Sequence, residues 1–518
     1  MDAVTGAHTP GDAAAAVPVL IIGAGPTGLT AATLLGQYGV RCLVLDRWEG
    51  VYPQPRAVHL DDEIYRILAR MGVAEEFAAI SRPCHGLRLV DRHHAVLGEF
   101  RRGTAQGKHG FPEANMFDQP ELEEILRTNL KLFPSVTLRG NADVVELTQD
   151  AATVHVDYVD RATGEEHSID AQYVLGCDGA NSLVRTVVGA MMRDLKFEQR
   201  WLVVDMTTDA EIEAWEGVHQ VCDPGRAATY MRIGASRYRF EFRLGPTETV
   251  DDYRDPDALH PLIAPWTREV PIDDLHVVRV AEYTFRARVA DRWRDRRIFL
   301  LGDAAHLTPP FIGQGLCAGV RDAANLSWKL AGVLDGSLAE RVLNSYEAER
   351  KPHATALIRL AKIVGTAMTE GGEFGNFLRR VLAPRLHRMP AFSSHILKSE
   401  TPGLKRGEFV ARRRLGSPLG GRLCPNAAVA DGSRFDAYAG AQFAIVTSED
   451  VSSARRAEVQ RLGAVLVSAS PGSDLQAWLR NGKATSALVR PDGTVMHAGR
   501  DSSAACIALR GVRSGCTP

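Results

Sequence analysis

The stretch Val19-Leu20-Ile21-Ile22-Gly23-Ala24-Gly25-Pro26-Thr27-Gly28 constrains this chain more than any other. An apolar β-run leads into a G-x-G-x-x-G turn, and a helical pattern follows over Leu29 to Gly39. A second apolar run, Arg41 to Leu45, then ends on Asp46. In that strand–turn–helix–strand setting the glycine spacing carries meaning. Gly23 permits the tight turn, Gly25 lets backbone N–H groups approach a pyrophosphate, and Gly28 lets helix and strand pack closely. The helix start, with Pro26 and Thr27, adds partial positive charge for phosphate. Asp46, roughly 20 residues past the turn, suits a ribose, with Arg47 flanking it or solvated. The segment predicts a dinucleotide site in a Rossmann-like α/β fold.

A second constellation indicates which dinucleotide. The buried-strand pattern Arg297 to Leu301 ends in Gly302-Asp303-Ala304-Ala305-His306, followed by Pro309-Pro310, Gly313-Gln314-Gly315 and a helical pattern over 316–334. Asp303 is positioned to accept hydroxyl protons from a polyol chain, and the prolines stiffen the loop. Gly313 and Gly315 bring backbone N–H groups near the helix start, where a flat ring with negative charge at one edge is stabilised. Reduced flavin carries that charge at its N1–C2 carbonyl edge, so the two motifs together point to FAD.

With Cys177-Asp178-Gly179-Ala180 between them, these motifs resemble, in the correct order, the three signatures of the single-component (class A) FAD-dependent aromatic hydroxylases. The likeness spans about 17–360. Pro55-Arg56-Ala57, Asp61-Asp62-Glu63, Phe240-Glu241-Phe242 and Gly313-Gln314-Gly315 are most similar to the 3-(3-hydroxyphenyl)propionate hydroxylases. The resemblance implies an α/β fold of para-hydroxybenzoate hydroxylase type. A disordered leader over 1–16 would precede a Rossmann-like FAD-binding domain over 17–190 and 280–370. A β-sheet substrate domain would be inserted over 191–279, with a connecting segment over 371–420 and a thioredoxin-like domain over 421–518. That last domain has no C-x-x-C, which implies structure or homodimer contacts rather than thiol chemistry.

The resemblance further implies non-covalent FAD, NADH or NADPH as transient co-substrate, and O2. A C4a-hydroperoxyflavin would then hydroxylate a small phenol, the hard chemistry belonging to the cofactor. Besides the glycine turn, Asp46 and Arg47, the implied cofactor contacts include Arg56 at the pyrophosphate, where a forked guanidinium suits phosphate oxygens. Gln119 would lie at the ribityl–phosphate region, and Asp178 would serve both nucleotides. Val144, Gly302, Asp303, Pro310, Gly313, Gln314 and Gly315 complete the implied set. As catalytic groups it implies Pro310, whose backbone would face C4a, and Tyr283, whose hydroxyl would bond the phenol oxygen or else belong to a half-buried strand. Phenol hydroxylase has an aspartate where this chain has Val58, so the deprotonating group stays open. A carboxylated substrate would want an arginine, with Arg226, Arg232, Arg237 and Arg239 as candidates. His306 reads as an orienting residue rather than a base.

Composition agrees with a cytoplasmic enzyme. The 518 residues are 45% hydrophobic and 24% charged, with a formal net charge of −2 that gives no argument for nucleic acid or an anionic membrane as partner, and neither is expected. No run of 18 apolar residues suggests a membrane span. Eight scattered cysteines show neither C-x-x-C nor zinc spacing, and Cys177 reads as a packed strand-end residue. Helices are expected at Leu60 to Gly72, Gln119 to Leu130, 338–370 and 473–481. Alternation such as Tyr238 to Arg243 predicts a half-exposed sheet over about 195–290, and strands are expected at Gln442 to Thr447 and Ala464 to Ser468. Two other functions stay open: a tailoring hydroxylase of a larger polyketide or antibiotic aromatic, and a non-catalytic flavin-bound protein.

Overall fold

The computed structural model describes residues 16–54, 56–223, 225–268, 270–369, 401–411 and 417–513. The expected leader, apart from Ala16, and most of the expected connecting segment lie outside them. Val17–Ile22 forms the centre of a parallel sheet, with Glu166–Gly176 on one side and Cys42–Leu45 on the other. Ile298–Leu300 and Val136–Arg139 extend it at either side. Leu20 and Ile21 are fully buried, as a strand covered on both faces requires. The strands Ala142–Gln149 and Val154–Asp160 continue from Glu166–Gly176 as an antiparallel meander.

Local chemistry sets the element boundaries. The first helix, Pro26–Gln37, starts three residues before the expected Leu29, because Pro26 occupies a first-turn position where a missing N–H costs nothing. The helix expected from Leu60 begins as the strand His59–Asp61. Helix Asp62–Arg70 starts only where the Asp61 side chain accepts the Ile64 N–H at 3.0 Å. Gln119–Leu130 and Ala464–Ser468 form with the expected bounds.

A second sheet of eight strands stands against the first. Its order is His306–Leu307, His276–Ala290, Met192–Thr207, Arg237–Arg243, Ala228–Arg232, Val218–Val221, Gly86–Val90 and Val96–Arg101. Strand alternation puts Tyr238, Phe240 and Phe242 into an apolar core shared with Leu259, Ile263 and Trp266 of helix Pro256–Thr267. Their partners Arg239 and Glu241 take the opposite face. The C-terminal unit is a mixed sheet in the order Ala464–Ser468, Phe443–Thr447, Ser486–Val489, Val495–Gly499. Among the described residues no helix is long and apolar enough to cross a membrane.

Asp62 supports one prediction of stability. Burial and the neighbouring Asp61 carboxylate push its pKa up to about 8. A folded value raised above the unfolded one adds stability that is complete below about pH 4 and is lost as pH rises toward 8. Asp62→Asn should therefore raise the melting temperature at pH 8 by several degrees and change it little at pH 4, as calorimetry across that range would show.

Candidate active site

Each glycine of the first turn has a distinct steric reason. Gly23 sits at φ +102°, and a Cβ there would lie 2.4 Å from the Cys177 carbonyl oxygen. A Cβ on Gly28 would lie 2.0 Å from the Gly23 oxygen, whereas one on Gly25 would meet nothing within 4 Å. Gly23 and Gly28 thus close the turn, and the open face is at Gly25. Asp46 fastens the same turn, its Oδ2 accepting from the Ala24 N–H at 2.5 Å and its Oδ1 from the Trp48 N–H at 2.8 Å. Each oxygen keeps lone-pair capacity for a ribose hydroxyl. Arg47 lies on the rim, mostly exposed and paired with Asp143 at 3.0 Å, and half-buried Val144 follows Asp143 on the same strand. Asp46→Ala should weaken FAD binding by about tenfold or more (about 1.4 kcal/mol per decade), read by flavin fluorescence titration.

The second loop closes onto the first. A Cβ on Gly302 (φ +60°) would lie 2.8 Å from Thr27 Oγ1, and one on Gly319 would lie 2.2 Å from the same atom. Buried Asp322 gathers the loop, accepting from the Gly302 N–H at 3.1 Å, and lying 2.8 Å from both His306 Nε2 and Arg350 Nε. The Arg350 guanidinium and His306 hold the Asp322 carboxyl below its usual value despite burial. His306 is therefore an orienting residue of the loop. Asp303 remains solvent-exposed, although protein hems it in and that crowding raises its pKa against the pull of His306 and Arg56. Arg185 ties this loop to the third motif, donating to Ala304 O at 3.1 Å and Ala180 O at 2.8 Å. Asp178 Oδ2 accepts from the Val184 N–H at 3.1 Å, while its buried Oδ1 has no hydrogen-bond partner among the described residues. Burial pushes the Cys177 thiol well up, so it is packed rather than reactive.

Two predicted contacts spend their side chains on protein partners. Gln119 Oε1 accepts from the Ala57 N–H at 2.6 Å, and its Nε2 donates to Glu123 at 2.6 Å. Gln314 Nε2 donates to Asp61 at 2.9 Å, and its Oε1 accepts from Arg321 at 2.8 Å. The Gln119 amide braces the backbone of the Arg56 segment, and the Gln314 amide joins the Asp61 and Arg321 side chains at the start of helix Gly315–Leu334. Before that helix, Gly313 (φ +62°) packs against His59, and a Cβ on Gly315 would meet nothing within 4 Å. Half-buried Pro310 opens the short turn Pro310–Ile312, its carbonyl accepting from the Gly313 N–H at 2.8 Å. The open faces at Gly25 and Gly315, exposed Asp303 and the unpartnered Asp178 oxygen form a donor and acceptor set that fits an extended flavin dinucleotide.

The second sheet presents a charged row to this site. Arg239 donates to Asp205 through Nε at 2.7 Å and Nη2 at 3.0 Å, and its Nη1 reaches Arg56 O at 3.0 Å. Arg279 pairs with Asp205 at 2.8 Å and donates to the Tyr283 hydroxyl at 3.0 Å. Of the four candidate arginines, Arg226 pairs with Glu248, Arg232 with Glu216 and Arg237 with Asp118, leaving Arg239 as the one bonded to the Arg56 segment. Arg279 escaped the sequence reading. Its signal was the four-residue spacing from 279 to 283, two pleats along one strand face, which gains meaning only from the pairing with Asp205.

Fold and site together define an FAD-binding flavoprotein with a second, eight-stranded sheet. Residues 16–361 match the family model described as "FAD binding domain", and the chain belongs to this family of FAD-dependent monooxygenases. It is 37% identical over 366 residues to a probable NADH-specific resorcinol 4-hydroxylase of Rhodococcus jostii (strain RHA1), covering 70% of this chain and 68% of the relative. It is 35% identical over 435 residues to a 3-(3-hydroxy-phenyl)propionate/3-hydroxycinnamic acid hydroxylase of Burkholderia cenocepacia (strain HI2424), covering 83% and 78%. The crystal structure of aklavinone-11 hydroxylase with FAD and aklavinone shares the fold with a TM-score of 0.79 at 24% identity, over 96% of this chain and 99% of that one.

Proposed function

We propose that this protein hydroxylates small phenols of the 3-(3-hydroxyphenyl)propionate or resorcinol kind, using FAD, NADH or NADPH, and O2. The observation that carries the reading is the Arg239–Asp205–Arg279–Tyr283 row, set on the sheet face next to the Arg56 segment. Bound FAD supplies hydride acceptance and oxygen activation. The chain itself supplies the polar anchor and the dry wall. Tyr283 accepts a hydrogen bond from Arg279, which leaves its own proton for a phenol oxygen. Two arginines against one aspartate favour an anionic ring oxygen or a carboxylate. Phe311, next to Pro310, packs on Trp201 (centroids 5.9 Å apart) and Phe197 (5.8 Å), and such aromatic walls exclude water.

The finer organisation belongs to the same proposal. The substrate domain is assigned the second sheet, including Gly86–Val90, Val96–Arg101 and all of His276–Ala290. The C-terminal unit is assigned a thioredoxin-like fold, supported by its mixed four-stranded sheet and adjoining helices. Seven free cysteines among the described residues support a reducing, cytoplasmic setting.

Stopped-flow kinetics with product analysis tests the reading on the FAD-loaded protein, with NADH or NADPH and a phenol panel that includes both named substrates. Phenol-stimulated cofactor oxidation with a matching yield of catechol or hydroquinone is expected. An FAD complex that ignores every phenol in the panel would overturn it.

A further inference from the structure

Glu241 has no part in the contacts described so far. It lies on strand Arg237–Arg243, two residues from Arg239 and on the same face, paired across to Val203 on one side and Thr229 on the other. Only 8% of its surface is exposed, yet among the described residues its carboxyl group has no hydrogen-bond or ion-pair partner. A largely buried carboxylate without a protein partner is destabilised, and persists where something else meets it.

Its surroundings indicate what that is. To one side the same face meets the cofactor segment, through Arg239 on Arg56 O and through Met231 in the apolar cluster that includes Val58. Further along the same face Leu89 packs with Val364, Met368, Phe311 and Ile312. Glu241 thus lies on the sheet face between Arg239 and Met231, which meet the Arg56–Val58 segment, and Trp201, which meets Phe311 of the Pro310–Ile312 turn. Arg239, Asp205 and Arg279 are the charged groups acting on it, and the elements that close over the face bring apolar side chains. Burial raises its affinity for a proton, and the two arginines temper the rise.

We propose that Glu241 is the proton acceptor for the substrate's ring hydroxyl, a role that rests on the phenol-hydroxylase reading above. Its carboxylate takes the phenolic hydrogen, so that one O–H bond breaks as the carboxyl O–H bond forms. The electron pair stays on the phenolate oxygen, which lies against Arg239, Arg279 and Tyr283. No oxidant or reductant enters this step, and the activated ring is then open to electrophilic attack.

The test compares wild type, Glu241→Gln and Glu241→Asp as FAD-loaded enzymes, with FAD content confirming that each folds. In Glu241→Gln, product formed per NADH oxidised should fall by about a hundredfold at pH 7. It should recover as pH rises toward the phenol's own ionisation, and Glu241→Asp should restore part of it at pH 7. A Glu241→Gln enzyme with the wild-type yield and pH profile would overturn the assignment. So would a loss that is equal at every pH and is shared by Glu241→Asp, since that marks a purely structural group. A wild type that hydroxylates no phenol would instead overturn the reading beneath it.

Discussion

A Gly28→Val protein should purify without FAD, lacking visible flavin absorbance even after incubation with excess cofactor. The Cβ would lie 2.0 Å from the Gly23 oxygen and 3.4 Å from the Cys177 side chain, and the nearest of these atoms is backbone that cannot swing aside. The helix start must therefore shift away from the strand, and the Ala24 N–H would leave Asp46. A shift of about 1 Å in a preformed site is enough to abolish positioning. Gly25→Ala is the informative control. Its Cβ meets no protein atom within 4 Å, so the apo fold should keep its melting temperature while FAD affinity falls. Recovery of full flavin content in Gly28→Val would contradict this account of the turn.

Arg490→Ala should lower stability by about 3–5 kcal/mol, the usual cost of stranding a buried charge. Arg490 is 1% exposed and pairs with Glu349 at 2.8 Å and with Asp492. Glu349 in turn takes Lys329 at 2.9 Å and Asn325 at 2.8 Å. Removing the arginine leaves two carboxylates and one lysine in the interior. The pH dependence has a definite sign. Arg490 pulls Asp492 down to about 2 and also lowers Glu349. Depressed carboxylates contribute stability above their unfolded values, near 4, and lose it as pH falls toward the folded ones. Wild type should therefore lose stability steeply between about pH 4 and 2, and Arg490→Ala should show a shallower acid limb in thermal melts.

What the sequence disclosed follows the range of the interactions involved. Gly23, Gly28, Asp46 and the Gly302–Gly315 loop were legible because turn, cap and strand end lie within a few residues of one another. Gly319 was not, since its need for a bare Cα comes from Thr27 on another helix. The Arg279–Asp205–Arg239 row and Glu241 depend on the register of Met192–Thr207 between two non-consecutive strands, which no local pattern encodes. The partners of Gln119 and Gln314 were not legible either, since one amide holds the Ala57 N–H and the other joins the Asp61 and Arg321 side chains, all distant in sequence or on another turn. Helix Pro256–Thr267 was hidden by Pro261 and Pro265, whose usual penalty is offset where Leu259, Ile263 and Trp266 bury one face.

Helix Gly315–Leu334 begins beside the open Gly315 face and ends among residues packed on the C-terminal sheet, where Trp328 meets Phe443 edge-on with centroids 5.5 Å apart. Along it Arg321, Asp322, Asn325 and Lys329 are all buried, the first two serving the cofactor loops and the last two serving Glu349 and the Arg490–Asp492 corner. The C-terminal hundred residues are thus joined to the catalytic body by charge as well as by packing. A shortened descendant that shed them would lose Arg490 and Asp492 together, and the remaining Lys329–Glu349 pair and the Trp328 ring would face water at the far end of the helix.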